Sequence, residues 1–420
     1  MSFRHTAWLV LWLCSACSQT PATQDSAPIP DRWTPDVARP PGEARQPDRG
    51  VDRTGPSATV LRVHYPAGSG KVTVRGGGAP LSWSQGLALT SGTDDTWTLT
   101  TTELAGTIEW KPLLDDQTWS LGPNYHVTAG QTVDVYPHFS VAKGQVEILI
   151  ASFSSTALAN SRTIWAYLPP TYLENSRARM PVVYMHDGQN LFDPALAYGG
   201  NPWHADDAID AAASSGTCSS GSSCTKDGDC GGKGSCETFR EAIIIGVANT
   251  PDRVAEYTPV PDPVEGGGKG DLYLKMLTDE LKPKVDALLR TRPEREHTAL
   301  AGSSLGGLIS AHAGVTRPDV FGLIGAMSPS TWWANTAIIT EVQNSKGKTP
   351  RALKVYVDSG DSGPDQDDAA DTKLLAAAYV AIGYVEGQDL HYLVGAGHQH
   401  NEIYWAKRLP AALAFLLGPR

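Results

Sequence analysis

The chain has no excess of basic residues. Its 34 lysines and arginines are outnumbered by 45 aspartates and glutamates, leaving a formal net charge of −11 over 420 residues. A nucleic-acid partner needs a basic face, so this balance argues against one. An acidic surface otherwise says little beyond solubility. The chain also lacks an apolar run of the ~20 residues that a membrane span needs. Cysteine is scarce and unevenly placed: Cys14 and Cys17 near the start, and Cys218, Cys224, Cys230 and Cys236 in one cluster. That cluster, "CSSGSSCTKDGDCGGKGSC", has neither a C-x-x-C pair nor a histidine. A structural zinc site is therefore disfavoured. Asp227 and Asp229 there form only a lone D-G-D, a weak calcium signal. No metal or cofactor is expected.

What is present begins with the leader. In "MSFRHTAWLVLWLCSAC", Arg4 and His5 precede a short apolar run over residues 7–13, followed by small residues. This is the layout of an export signal. Its end is similar to a bacterial lipobox, with Ser15 and Ala16 before Cys17, although Cys14 stands where an aliphatic residue is usual. The expectation is a lipid on Cys17, hence a membrane-anchored exported protein, with plain secretion as the alternative. In an exported protein the four clustered cysteines read as two local disulfides, stapling a Gly- and Ser-rich insertion over about 214–237.

The length allows a large core and two domains. Residues 18–56 are rich in proline and charge and read as a disordered tether. Over 57–140 short alternating runs such as "TVLRVHY", "KVTVRGG" and "TWTLTTTEL" are separated by turn residues. They predict a small antiparallel β-sandwich. From 141 onward continuous apolar runs ("PVVYMHDG", "EAIIIGVAN", "HTALAGSS", "FGLIGAMSPS", "LKVYVDSG") alternate with helical segments. That pattern predicts an α/β domain, a mostly parallel sheet covered on both faces. In one helix Leu274, Leu277, Leu281, Val285 and Leu288 mark an apolar face, and Pro283 predicts a kink.

The chemistry centres on "LAGSSLGGL". Ser304, with Gly302 two before and Gly306 two after, fits G-x-S-x-G; Ser303 does not. A strand before and a helix after give the strained turn on which such a serine projects above the sheet. A nucleophilic serine needs a base, then an acid that holds the base's tautomer. Of the four later histidines, His312 falls on a helix and His391 starts a strand. His398 and His400, after the last strand, compete, and His400, directly before the final helix, is preferred. The acid should follow "LKVYVDSG", where Asp358, Asp361, Asp365, Asp367, Asp368 and Asp371 all stand. Spacing does not choose among them, although Asp358 is early and Asp371 falls in the next helix.

Two resemblances sharpen these readings. The stretch "VTVRG…LSWSQGLALT…DTWTLT…GTIEWKPLLDDQTWSLGPNY" resembles a starch-binding-type carbohydrate-binding module. It implies that Trp97, Trp110 and Trp119 stack on sugar, or else are core residues. The pieces "YMHDGQNLFD", "IGVANTPDRVAEYTP", "DELKPKVDALLRT", "AGSSLGGLIS", "SPSTWW" and "GHQHNEIYWAKRLPAALAFLL" resemble an esterase family of the α/β-hydrolases. Enterobactin esterase, feruloyl esterases and S-formylglutathione hydrolase belong to that family. The resemblance implies an α/β-hydrolase fold with a doubly wound sheet. It favours His400 through "HNEIYW" and Asp367, with Asp365 next, as the acid. It also implies an oxyanion hole from the backbone N–H groups of Leu305 and Gln189. Trp332, Trp333, Asp187 and Arg253 become substrate-binding candidates, with Arg253 and Glu256 as a candidate ion pair.

The expected function is an exported serine esterase acting on a small-molecule or polysaccharide ester. An acyltransferase on the same fold is one rival. A surface carbohydrate-binding protein with an inactive hydrolase domain is the other.

Overall fold

The computed structural model describes residues 57–420, residue 219 excepted. The leader, Cys17 and the tether lie outside the described residues. Among the described residues no helix is long and apolar enough to cross a membrane.

The first described segment folds as two small facing sheets. One is built on Thr59–His64, whose alternate residues Thr59, Leu61 and Val63 are buried. This strand runs antiparallel to Thr96–Thr101 but parallel to Thr132–Val135, so the sandwich is mixed rather than antiparallel. The other sheet holds Val72–Gly76, Thr107–Leu114 and Tyr125–Thr128. Trp110 is fully buried against Tyr125, ring centroids 5.5 Å apart, and is a core residue rather than a sugar platform. Trp97 is half-buried, its indole N–H donating to the Tyr65 carbonyl at 3.0 Å. Only Trp119 keeps an open face, beside Trp83, which the sequence reading did not single out; ring centroids are 6.3 Å apart.

The larger domain is built on an eight-stranded sheet. From one edge, its strands are Gln145–Ser155, Asn160–Leu168, Ile243–Val247, Val182–His186, Thr298–Ser304, Leu323–Pro329, Lys354–Gly360 and Leu390–Gly395. The first two form an antiparallel hairpin, and from Ile243–Val247 onward neighbours run parallel. Both faces are covered, which explains the unbroken apolar runs. Val182, Tyr184, Ile243, Ile245, Leu300 and Ile324 face one core, Val183, Met185, Ile244, Ala299 and Ala301 the other. Helices Leu305–Thr316 and Ala369–Ala381 cover the first face, helices Ala205–Ser214 and Glu402–Leu417 the second. From Val182–His186 the chain steps outward to Ile243–Val247, then crosses back to pair Thr298–Ser304 on the opposite side. Reversals of this kind open a crevice at the carboxyl ends of the strands, where ligands of α/β proteins bind.

The helix carrying Pro283 is not broken. It runs as Gly270–Lys275, a π-helical stretch Met276–Leu281, then Lys282–Leu288, with Pro283 in the first turn of the last part. First-turn positions need no N–H donor, so the change of helical register absorbs the conflict. Leu274, Leu277, Leu281 and Val285 are buried as expected; Leu288 is exposed, because the chain leaves the helix directly after it. In the insertion, disulfides join Cys218 to Cys230 and Cys224 to Cys236, and these buried cysteines form a small core of their own.

Candidate active site

Ser304 ends its strand and precedes helix Leu305–Thr316 with φ 58° and ψ −125°. A non-glycine residue in this region is strained by about 1–3 kcal/mol, and the surrounding packing must hold it there. The two framing glycines show how. A Cβ on Gly302 would meet the His186 ring at 2.7 Å, and one on Gly306 would meet His186 Cβ at 3.2 Å. The end of Val182–His186 therefore lies directly against the elbow, and only glycine lets it. Leu305 opens its helix and Gln189 lies in the short helical turn Gly188–Asn190. The backbone N–H groups of such first-turn residues have no acceptor within their own helix.

His186, at the base of this arrangement, is a brace. It is buried and bonded through Nδ1 to the Tyr273 hydroxyl at 2.9 Å and through Nε2 to Ser310 Oγ at 3.1 Å. Burial drives its pKa down to about 3. The unfolded imidazole takes up a proton near its ordinary value of about 6.5, whereas the folded one stays neutral until about pH 3. This contribution to stability is complete above pH 6.5 and is lost as pH falls toward 3. From pH 7 to pH 5 it amounts to about 2 kcal/mol at ~1.4 kcal/mol per pH unit. Urea unfolding at both pH values should show a His186→Gln variant losing about that much less than the wild type. Equal losses would refute the assignment.

On the strands beyond the elbow, His400 follows Leu390–Gly395 and Asp367 follows Lys354–Gly360. His400 Nδ1 is 2.6 Å from Asp367 Oδ1. Asp367 is buried, and its other oxygen accepts from Ser328 Oγ at 2.6 Å and from the Gly360 N–H. Burial works to raise this carboxyl's pKa. The hydrogen bonds from His400, Ser328 and Gly360 outweigh it and hold the group below the ordinary carboxylate range. His400 stays about 40% exposed and stacks edge-on against Trp405 at 5.0 Å. His398, in contrast, touches no carboxylate: its ring contacts Arg408 at 3.3 Å and Tyr404 at 4.8 Å, and its carbonyl accepts from Asp361 and Ser362.

A buried network lies behind Asp367. Ser328 Oγ also accepts from Trp405 Nε1 at 3.0 Å and from Arg408 Nη2 at 2.6 Å, and Arg408 reaches Asp358 at 3.0 Å. Asp358 is fully buried and bonded by the Ser328 N–H and the Tyr356 hydroxyl, so it supports the site from below. Ser304 itself is hydrogen-bonded to Ser330 Oγ at 3.3 Å. The structure thus joins His400 to Asp367 directly and sets Ser304 at the same end of the sheet, one strand removed from Lys354–Gly360 and bonded to Ser330.

The remaining candidates separate. Asp187, left-handed at φ 54°, is held by Arg253 through two bonds of 2.7 and 2.9 Å and by Asn249 at 2.6 Å. Arg253 therefore pairs with Asp187, not with Glu256. Glu256 is buried 2.9 Å from Arg162, where the strand carrying Arg162 brings the two together. The Glu402 carboxyl, at the start of the final helix, has its pKa raised, chiefly by burial. Trp332 is about half exposed and borders a cleft of about 660 Å³ with His400, Asp365, Asp367 and Asp368. Burial and Asp371 push Asp368 up to about 6. Trp333 is buried, its N–H donating to the Val260 carbonyl at 2.8 Å. It is a packing residue, because adjacent residues at a helix start point in different directions. Sequence reasoning missed Ser330, Asn249 and Arg408.

Away from the elbow, Asp229 accepts from Thr225 and Lys226 within the insertion. Asp227 bonds His126 at 3.0 Å and donates its N–H to Glu109 at 2.8 Å. The Asp227 and Glu109 carboxylates dock the insertion onto the sandwich.

The family described as "Putative esterase" matches residues 155–416, well over half of the chain. The chain belongs to this family. The esterase is a carboxylic ester hydrolase. It is 26% identical over 272 residues to the uncharacterized protein YbbA of Bacillus subtilis, covering 62% of this chain and 94% of that one. It is 39% identical over 83 residues to the siderophore enterobactin esterase of Emericella nidulans, covering 20% and 27%. An endo-1,4-beta-xylanase/feruloyl esterase of Xylanibacter ruminicola is 29% identical over 139 residues, covering 33% and 16%. The esterase thus spans nearly all of YbbA and under a third of either named esterase.

Proposed function

We propose that the protein is an exported serine esterase in which Ser304 attacks the ester carbonyl, His400 takes the serine proton and Asp367 orients His400. The observation that carries this reading is the 2.6 Å bond between His400 and buried Asp367, in the loops that follow the last two strands, on the same carboxyl-end side of the sheet as the strained Ser304 elbow. Ser304 Oγ leaves Ser330 for His400 Nε2 as substrate binds, in keeping with catalytic bonds that tighten only in the complex. As the serine adds to the carbonyl carbon, the oxygen becomes negative and the N–H groups of Leu305 and Gln189 receive it. Donors of this kind contribute about 3–4 kcal/mol each. His400 then returns its proton to the departing alcohol, and water, activated by the same histidine, releases the acid and restores Ser304.

The cleft beside His400 and Trp332 would take one side of the ester. The names of the relatives support siderophore esters and feruloyl or other acyl esters of polysaccharides as the substrate classes. Two disulfides support an oxidising compartment, in line with the leader and a lipid on Cys17.

A fluorophosphonate probe tests the reading. One adduct is expected, on the peptide containing Ser304, and His400→Ala should slow its formation by orders of magnitude. Labelling at Ser303, or none at all, would overturn the assignment.

A further inference from the structure

A second cleft, of about 970 Å³, lies between the sandwich and the hydrolase domain; Ser304, His400 and Asp367 take no part in its lining. Residues Val133–Tyr136 border it from the sandwich side, and five arginines line it: Arg177, Arg179, Arg240, Arg292 and Arg420. Such a concentration of guanidinium groups is unexpected in a chain with net charge −11.

Two of the five are occupied. Arg177 is paired with Asp95 at 2.7 Å, and Arg420 donates to the Tyr125 hydroxyl at 2.7 Å. The other three have no carboxylate within ion-pair distance among the described residues. Arg179 reaches only the Thr291 carbonyl, at 3.4 Å, and Arg240 only that of Pro419, at 2.9 Å. The Arg292 side chain makes no hydrogen bond or ion pair among the described residues. The acidic groups of the lining do not compensate. Glu241 is turned toward Thr171, and Asp134 is held by Arg62 and His64, which leaves Glu294 alone against three cations.

The cations also act on one another. Burial and then Arg292 hold the Arg240 guanidinium below its ordinary range, and burial, Arg292 and Arg240 lower His297. Arg179, Arg240 and Arg292 are exposed within this concavity, so their combined field, with little carboxylate opposite it, favours an anion there.

We propose that this cleft binds a small polyanion, a molecule with two or more phosphate, sulfate or carboxylate groups, through Arg179, Arg240 and Arg292. Guanidinium groups form paired, geometrically matched hydrogen bonds with such oxyanions. The volume falls within the range of about 300–1,000 Å³ typical of small-molecule sites, larger than one phosphate needs. Three separate forks in that space suit several anionic groups on one molecule. The site is independent of the ester chemistry.

The test is calorimetry on the full-length protein at roughly 50 mM salt, where screening is modest. Tripolyphosphate and trigalacturonate serve as the phosphate and carboxylate probes, with maltotriose as a neutral control. One or both anions should bind with one-to-one stoichiometry and weaken as salt rises, and the arm that binds identifies the anionic group. Arg292→Gln should weaken binding about tenfold or more and Arg179→Gln/Arg292→Gln further, while Arg292→Lys should fall between wild type and Arg292→Gln, because lysine keeps the charge but not the paired hydrogen bonds. Removing the Arg292 side chain breaks no bond in the fold, so ester hydrolysis and thermal unfolding should stay unchanged and report intact protein. Failure of both anions to bind, equal affinity in Arg292→Gln, or equal binding of maltotriose would each overturn the proposal.

Discussion

Ser304→Ala is expected to lower kcat/KM on a short-chain p-nitrophenyl ester by about 10⁴-fold or more, a loss of about 5.5 kcal/mol of transition-state stabilisation. The residual rate would come from oxyanion donors and binding, which remain when the nucleophile is gone. The fold should survive, because alanine occupies the same backbone position and Ser304 Oγ gives up only its 3.3 Å contact with Ser330. Ser303→Ala is the control. Ser303 is a buried strand residue on the far side of the pleat, so its removal should leave the rate within a few-fold of wild type. Activity of Ser304→Ala within tenfold of wild type would end the nucleophile assignment, whatever the family.

The second large effect is expected at His400. His400→Ala should cost about 10³-fold or more in kcat/KM, since it removes both the general base and the proton donor for the leaving alcohol. His398→Ala should cost no more than a few-fold, because that ring meets Arg408 and Tyr404 and no carboxylate. The two histidines are separated by one residue, so the comparison holds the loop nearly constant. Activity that survives in His400→Ala and fails in His398→Ala would exchange their roles. Asp367→Asn adds a check, since an amide in place of the carboxylate keeps the volume but leaves His400 in the wrong tautomer. Its interpretation must allow for Arg408. Removing a charge from a buried ionic network leaves the partner uncompensated, at about 3–5 kcal/mol. Unfolding measurements on the same variant separate lost stability from lost orientation.

Much of this protein is legible from local pattern. Unbroken apolar runs marked strands covered on both faces, and alternating runs marked the sandwich. Gly302, Ser304 and Gly306 marked the elbow because that turn tolerates few residue types. Local pattern is less informative when side chains meet through the fold. Arg408 falls on the stripe that Trp405, Leu409, Ala412, Leu413 and Leu416 bury, and a charged residue on such a stripe signals a buried partner. Its partners, Asp358 and Ser328, lie 50 and 80 positions earlier. Arg253 and Glu256 looked like a pair because they are three residues apart. The turn between them points Arg253 to Asp187 and Glu256 to Arg162. Trp332 and Trp333 are indistinguishable as letters, yet one is half exposed and the other is core.

The sequence by itself determined the strand and helix order, the strained serine turn and the disulfide-bearing insertion, because each depends on residues close together along the chain. Only the tertiary structure decided which aspartate meets His400, which arginines have no carboxylate partner among the described residues, and which tryptophan reaches solvent. Those outcomes depend on how distant segments pack, and burial, charge and hydrogen-bond geometry are settled there.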